Sequence, residues 1–185
     1  MDRNKADKAA KIEPGRGAGR RRHLWLTGLT VAIVAAAVVG YWAYRAAADL
    51  PGVKLADLGN AHIELATAPH VPYNSDPPTS GPHMPYIAPW GIHTASIVRE
   101  LQVHNLEDGG VMVQYHCATA CPDLVAKLAE IVRRYETQVI LAPYPGMRTR
   151  IALTAWTRLD AFDDFDEARI VRFIRTYRGI DHHKG

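Results

Sequence analysis

Five side chains with nitrogen or carboxylate donors are the first candidates for chemistry in this sequence. His104, Glu107 and Asp108 lie within five consecutive positions, and Asp76 and His83 lie in a proline-rich segment upstream. Such donors suit zinc or copper. The sequence therefore predicts a metal site, with His83, His104 and Glu107 as ligands of first choice and Asp76 and Asp108 in support. In the alternative interpretation, the acids cap turns and the histidines are hydrogen-bonded packing residues.

Three further residues are secondary ligand candidates: Met84, Met112 and His116. Met84 directly follows His83, and a thioether beside an imidazole favours Cu(I) when both coordinate. Met112 and His116 lie on the same face of a predicted strand, where they could extend such a site.

The pair Cys117 and Cys121 is a second candidate for chemistry. Followed by Pro122 and lying between a predicted strand and a predicted helix, it locally resembles the CxxxCP element of thioredoxin-like copper-delivery proteins. A thiolate at the start of a helix is favoured by the helix dipole, so thiol redox chemistry or copper transfer is one interpretation. A plain structural disulfide is the other, and an oxidising compartment favours it.

Hydrolytic and nucleotide chemistry find little support. The serines lack a G-x-S-x-G context, and the chain has neither a phosphate-cradling glycine loop nor a dinucleotide fingerprint. The acidic run at 163–167 precedes a predicted helix, where acids cap the N-terminus. The sequence therefore favours a binding protein over an enzyme.

The elements that position these residues follow an N-terminal apolar segment. Residues 24–44 carry no charge and are long enough to cross a bilayer, so they predict a transmembrane helix. Residues 1–23 hold eight Lys or Arg against three acids, which predicts a basic cytoplasmic tail and places the rest of the chain outside the cytoplasmic membrane. Cleavage after Ala48 or twin-arginine export remains an alternative to the permanent anchor. The tail beside the membrane indicates topology, not nucleic-acid binding.

The remaining chain is divided by composition into a linker at 45–69, a domain at 70–180 and a flexible tail at 181–185. The tail contains His182-His183, a pair that could bind metal but fits a disordered tip better.

Within the domain the hydrophobic patterns predict an element order β-β-α-β-β-α. The expected elements are strands at 96–104 and 111–116 joined by a glycine turn, a helix at 122–135, strands at 138–145 and 150–159, and a helix at 166–178. This order is typical of an α+β fold, a compact sandwich of helices on a mostly antiparallel sheet.

Four motifs resemble the bacterial membrane-anchored family known as domain of unknown function 3105. They read YNSDPPTSGPH (73–83), APWGIH (88–93), VHNLEDGGVMVQY (103–115) and LAPYPGMRTRIALTAW (141–156). The resemblance implies a single anchor and an extracytoplasmic domain without an established activity. It also implies that Asp108 stands where a second histidine is common in the family's H-N-L-E-H-G motif, so a carboxylate replaces that ligand or the metal is held less well.

Aromatic residues in and near the proline-rich segment support a different function. Tyr73, Tyr86, Trp90, Tyr144 and Trp156 could form an ordered docking surface for a protein partner in the cell envelope. In this alternative the domain is not catalytic, and Cys117–Cys121 is a structural disulfide.

Overall fold

A computed structural model describes residues 17–183, which form two units, a helix and a domain that begins at Leu50. The helix, α1, runs from Gly17 to Ala48 and includes the whole of the predicted apolar segment. Its stretch Gly28–Arg45 is long and apolar enough to cross a membrane, and a signal sequence near the N-terminus would have the same properties. Residues 1–16 of the predicted basic tail, and 184–185, lie outside the described residues.

The domain confirms the predicted α+β class. It consists of β1 (Val53–Lys54), β2 (Gly91–Ile92), α2 (Arg99–Glu107), β3 (Val111–Tyr115), α3 (Pro122–Val132), β4 (Val139–Pro143), β5 (Ile151–Ala155), β6 (Arg158–Phe162) and α4 (Glu167–Tyr177). The strands form one mixed sheet in the order β1-β6-β5-β3-β4-β2. The pairs β1/β6, β5/β6 and β3/β5 are antiparallel, while β3/β4 and β2/β4 are parallel. The sheet is therefore mostly antiparallel, and α3 provides the crossover that the parallel pair β3/β4 requires.

The two faces of this sheet are covered by different helices. Successive side chains of a strand point to opposite faces. On β3, Val111 and Val113 pack with residues of α3 and α4, whereas Met112 packs with Val103 and Leu106 of α2. Each face thus has its own hydrophobic core, and α2 lies on the opposite side of the sheet from α3 and α4.

The strand predicted at 96–104 is wrong, because most of that segment belongs to helix α2. Alternation of Leu101 and Val103 with polar residues suggested a period of two. The buried residues of the helix include Gln102, Asn105 and Glu107 as well as Val103 and Leu106. A helix whose buried face is largely polar does not show the apolar i, i+3, i+4 pattern on which a sequence-based assignment relies.

The single strand predicted at 150–159 is in fact part of a hairpin. Strands β5 and β6 pair from Ala155↔Arg158 outward, so only Trp156 and Thr157 form the turn. Thr157 adopts a φ of 58°. A β-branched residue rarely takes this conformation, and no glycine or asparagine marks the turn in the sequence.

The proline-rich segment is ordered over the α2 face. The hydroxyl of Tyr73 donates a hydrogen bond to the Pro82 carbonyl at 2.6 Å. The side-chain amide of Asn105 pairs with both backbone groups of Ala88, at 2.8 and 2.9 Å. The residues next to His62 bond to the backbone of His83, in a short parallel bridge. The segment is thereby fastened to α2 and carries His83 into the interior.

Candidate metal centre

Three imidazoles and one carboxylate converge beside α2. The rings of His62, His83 and His104 form a nearly equilateral triangle, with centroids 5.0, 5.1 and 5.2 Å apart. Each of these residues and Glu107 offers one ligand atom, and the four atoms all lie within 4.8 Å of one another. The Oε2 atom of Glu107 lies 2.9 Å from Nε2 of His83, and 3.7 Å from both Nε2 of His62 and Nδ1 of His104.

Helix α2 supplies two of these ligands through its regular spacing. His104 and Glu107 are three residues apart, so their side chains lie on one face of the helix. The helix ends directly after Glu107, where Gly109 has a φ of 75°. A Cβ at Gly109 would lie 2.8 Å from the backbone nitrogen of Ile180. Glycine is therefore required for the C-terminal segment to approach the end of α2.

Hydrogen bonds orient two of the ligands. Nδ1 of His83 lies 2.8 Å from the carbonyl oxygen of Gly81, which can only accept, so Nδ1 carries a proton and Nε2 is the ring nitrogen that faces Glu107, at 2.9 Å. The Asn60 amide donates to Oε1 of Glu107 at 2.6 Å, which leaves Oε2 to the histidines. Metal-binding histidines and carboxylates in proteins commonly have such outer partners.

The buried contact between His83 and Glu107 requires a proton or a metal ion between the two side chains. Glu107 and His83 are both fully buried. Burial raises the pKa of the Glu107 carboxyl, but the hydrogen bond from Asn60 and the His83 imidazole outweigh burial and hold that pKa below its ordinary value. A buried carboxylate beside an imidazole lone pair is costly unless a proton or a metal ion lies between them.

The surroundings of His104 favour the neutral imidazole, which is the form that binds metal ions. Burial lowers its pKa, although the nearby Asp108 carboxylate opposes the effect. Its Nδ1 atom is buried and has no hydrogen-bond partner among the described residues. A buried nitrogen that faces Glu107 without a hydrogen-bond partner is available to bind a metal ion.

A second, overlapping group lies at the end of α2. It consists of His104, Asp108 and His183. Nε2 of His183 is 3.6 Å from Oδ1 of Asp108 and also 3.6 Å from Oε2 of Glu107. Nε2 of His104 is 3.8 Å from the same Asp108 oxygen. The last described residues of the chain therefore lie beside the three-histidine cluster.

The structure brings together four of the five predicted ligands, namely His83, His104, Glu107 and Asp108. Asp76 lies elsewhere, where its carboxylate accepts a hydrogen bond from Tyr144 and lies 3.4 Å from Arg99. Together with Ser75 and Arg148 it lines a cavity of about 750 Å³. Asp76 is therefore outside the cluster.

The secondary ligand candidates are also outside both groups. Met112 is fully buried in the core between α2 and the sheet. Met84 is partly buried, and its backbone nitrogen bonds to the Glu100 carbonyl. His116 lines a separate cavity beside the cysteines.

Cys117 and Cys121 are joined as a disulfide immediately before α3. Both pack against the core that α3 and α4 form with the sheet, which is the face opposite α2. The thiol pair and the histidine cluster are consequently separate features, and the structure does not combine them in one site.

Three residues in or beside the cluster were not among the predicted ligands. His62 and Asn60 lie in the segment predicted as a linker, where no periodicity or local spacing marks them. His183 lies in the segment predicted as a flexible tail, and only the His182-His183 pair signalled it. The backbone of His182 donates to the Glu107 carbonyl at 2.8 Å, so this segment contacts the cluster directly.

The fold and cluster together define an α+β domain with a partly buried histidine–carboxylate cluster. The chain belongs to the family described as "Protein of unknown function (DUF3105)", whose model matches residues 64–184. The match confirms the family resemblance. It includes His83, His104 and Glu107 but not His62. No curated protein and no solved structure shows significant similarity to the chain.

Proposed function

We propose that this protein binds a transition-metal ion through His62, His83, His104 and Glu107. The convergence of three imidazole nitrogens on one carboxylate oxygen carries the proposal. The hydrogen bond from Nδ1 of His83 to Gly81 leaves Nε2 facing Glu107, where a metal ion can replace the proton between the two atoms. The unpartnered Nδ1 of His104 supports the same conclusion from a different observation.

The donor set favours Zn(II) or Cu(II). Three nitrogens and one carboxylate oxygen match the ligands and the coordination number that zinc prefers, and imidazole suits Cu(II) equally well. Cu(I) is favoured by thiolate and thioether ligands. Neither Met84 nor Met112 belongs to the cluster, and the cysteines are on the other face of the sheet. Cu(I) transfer is accordingly the weaker proposal.

We also propose that the domain is tethered outside the cytoplasmic membrane by α1. The basic residues before the apolar stretch support this orientation. The disulfide supports an oxidising compartment, since such bonds are rare in the cytosol. Labelling of Cys117 and Cys121 in intact cells after mild reduction, with a membrane-impermeant thiol reagent, would test this topology.

Metal binding is tested with the full-length chain, purified in detergent without an affinity tag and equilibrated with one equivalent of Zn(II). We expect the wild type to retain zinc through gel filtration, and His83→Ala and His104→Ala each to lose it. His116→Ala is the matched control, because it removes an imidazole outside the cluster. Zinc retained by both cluster variants, with circular dichroism showing them folded, would contradict the proposal.

A docking surface is the second candidate function. Tyr86, Ile87 and Ile92 are exposed apolar side chains in or next to the proline-rich segment. In this case a protein partner in the envelope would cover them. A partner cross-linked at Tyr86 in cells, with metal absent from the purified chain, would favour docking over metal binding.

A further inference from the structure

The two ring nitrogens of His104 face two different carboxylates. Nδ1 is 3.7 Å from Oε2 of Glu107, and Nε2 is 3.8 Å from Oδ1 of Asp108. The first nitrogen belongs to the four-residue cluster described above. The second points to the group formed with Asp108 and His183. A single imidazole thus lies between two potential cation positions.

His183 is oriented as a ligand toward the second position. Its Nδ1 lies 2.7 Å from Oδ1 of Asp181, so Nδ1 carries a proton and donates a hydrogen bond to that carboxylate. Nε2 then faces the space between Asp108 and Glu107, 3.6 Å from an oxygen of each. A carboxylate on the outer nitrogen of a histidine is the arrangement that commonly orients metal ligands.

The segment that carries His183 is held in place by backbone contacts. Gly179 donates to the Gly109 carbonyl at 2.8 Å, and His182 donates to the Glu107 carbonyl at 2.8 Å. The His182 ring stacks on Trp156 with centroids 5.8 Å apart. These contacts tie the segment to the end of α2 and to the β5–β6 turn, and they bring His183 to Asp108.

We propose that the protein holds a second divalent cation at His104, Asp108 and His183, and that His104 bridges the two cations. This inference rests on the proposed function, since the first cation is the one bound by His62, His83, His104 and Glu107. A neutral imidazole has one lone pair, so a bridging His104 must release its remaining N–H proton to solvent when the second cation binds. The second cation replaces that proton, and the resulting imidazolate binds one ion at each nitrogen. Three protein ligands leave the second position open to water or to a small anionic ligand.

The competing arrangement has one cation only, with His183 as an additional ligand to it. The 3.6 Å distance from His183 to Glu107 is compatible with that arrangement. Two observations favour the second position. The His104 nitrogen nearest Asp108 points away from Glu107, and Asp108 lies between the two histidines of its own group.

Titration of the full-length, tag-free chain with Cu(II), followed by low-temperature electron paramagnetic resonance, tests the bridge. An isolated Cu(II) ion gives a full-intensity signal, whereas two ions joined by an imidazolate couple and lose intensity. We expect the integrated signal to rise through the first equivalent and to fall as the second binds. Asp108→Asn and His183→Ala should bind a single equivalent with undiminished intensity. His116→Ala should behave as the wild type.

Each alternative gives a different result. Two equivalents with additive intensity would overturn the bridge by His104. One equivalent in the wild type and in both variants would overturn the second position while leaving the proposed function intact. No binding in the wild type would overturn both. Asp108→Asn preserves the shape of the side chain and His183 is partly exposed near the chain end, so neither change is expected to unfold the domain.

Discussion

The Nε2 atom of His83 lies 2.9 Å from the Oε2 atom of Glu107, and the two side chains are 0% and 1% exposed. One residue comes from the proline-rich segment and the other from the last turn of α2. Their contact joins two parts of the domain by a buried hydrogen bond, in which a metal ion can take the place of the proton. The stability of the fold and the binding of an ion should therefore be linked at this pair.

Removal of metal is expected to lower the melting temperature. An ion that binds the folded state alone, at a free concentration of 100 times its dissociation constant, stabilises by about 2.7 kcal/mol. Differential scanning fluorimetry with and without a chelator measures the effect. The shift should be present in the wild type and in His116→Ala, and absent in His83→Ala. An identical shift in all three would contradict binding at the cluster.

Asn60→Ala should weaken metal binding without removing a ligand. The amide donates to the distal oxygen of Glu107 at 2.6 Å and orients the other oxygen toward the histidines. Loss of such an outer partner typically lowers metal affinity by about 10- to 100-fold. Competition with a fluorescent zinc chelator measures the change. Asn74→Ala is the matched control, since Asn74 donates to the Ala56 carbonyl away from the cluster. Equal affinities of the two variants would refute this role of Asn60.

Glu107→Gln should reduce both affinity and stability. The substitution keeps the size of the side chain but removes the charge that faces three imidazoles. A buried hydrogen-bonded group left with an unsuitable partner costs about 1–3 kcal/mol. Urea denaturation of the metal-free chain measures the stability term, and zinc competition measures the affinity. Affinity equal to that of the wild type would exclude Glu107 as a ligand.

Acidification should release the metal. Protons compete with the ion for each imidazole, and the ordinary pKa of histidine is about 6.5. The pKa of His104 is lowered because the ring is buried, so this ring stays neutral to a lower pH than an exposed histidine. The pKa of Glu107 is also below its ordinary value, so the carboxylate stays charged as well. We expect zinc to remain bound at about pH 6.5 and to dissociate by about pH 4, measured by dialysis. Retention at the lower pH would show that histidines are not the main ligands.

Loss of the disulfide should leave metal binding intact. Cys117 and Cys121 are four residues apart and pack on the face of the sheet opposite α2. Closing so short a loop stabilises by about 2 kcal/mol on the chain-entropy estimate. The double variant Cys117→Ser, Cys121→Ser should melt at a lower temperature and bind the same number of zinc ions. A loss of zinc would instead connect the thiols with the site.

The sequence predicted those parts of the fold whose buried faces are apolar. Helix α3 is predicted because Leu124, Leu128 and Ile131 recur at helical spacing, and α4 because its segment opens with acids and ends with arginines before Gly179. Helix α2 was missed for the opposite reason. Its buried Gln102 pairs with Gln114 of β3, and its buried Asn105 with the backbone of Ala88. Such polar burial becomes favourable only through partners distant in sequence, which local patterns do not show.

The sequence predicted part of the candidate site, most directly the residues that are close together in the chain. His104, Glu107 and Asp108 are close in sequence, so their proximity could be inferred without a structure. His62 reaches them through a backbone bridge to residue 83, and His183 through contacts between Gly109 and Gly179. Both approaches depend on tertiary pairing, and neither segment has a composition that reveals it.

The donors of the two overlapping groups together extend from residue 62 to residue 183, almost the full length of the domain. Contacts between residues so far apart form late in folding, because long loops must close first. The two groups cannot both be complete on a growing polypeptide until residue 183 has been synthesised. A bound second ion would therefore report that the polypeptide has been synthesised through residue 183 and has folded, and chains truncated before His183 would lack a ligand of that ion.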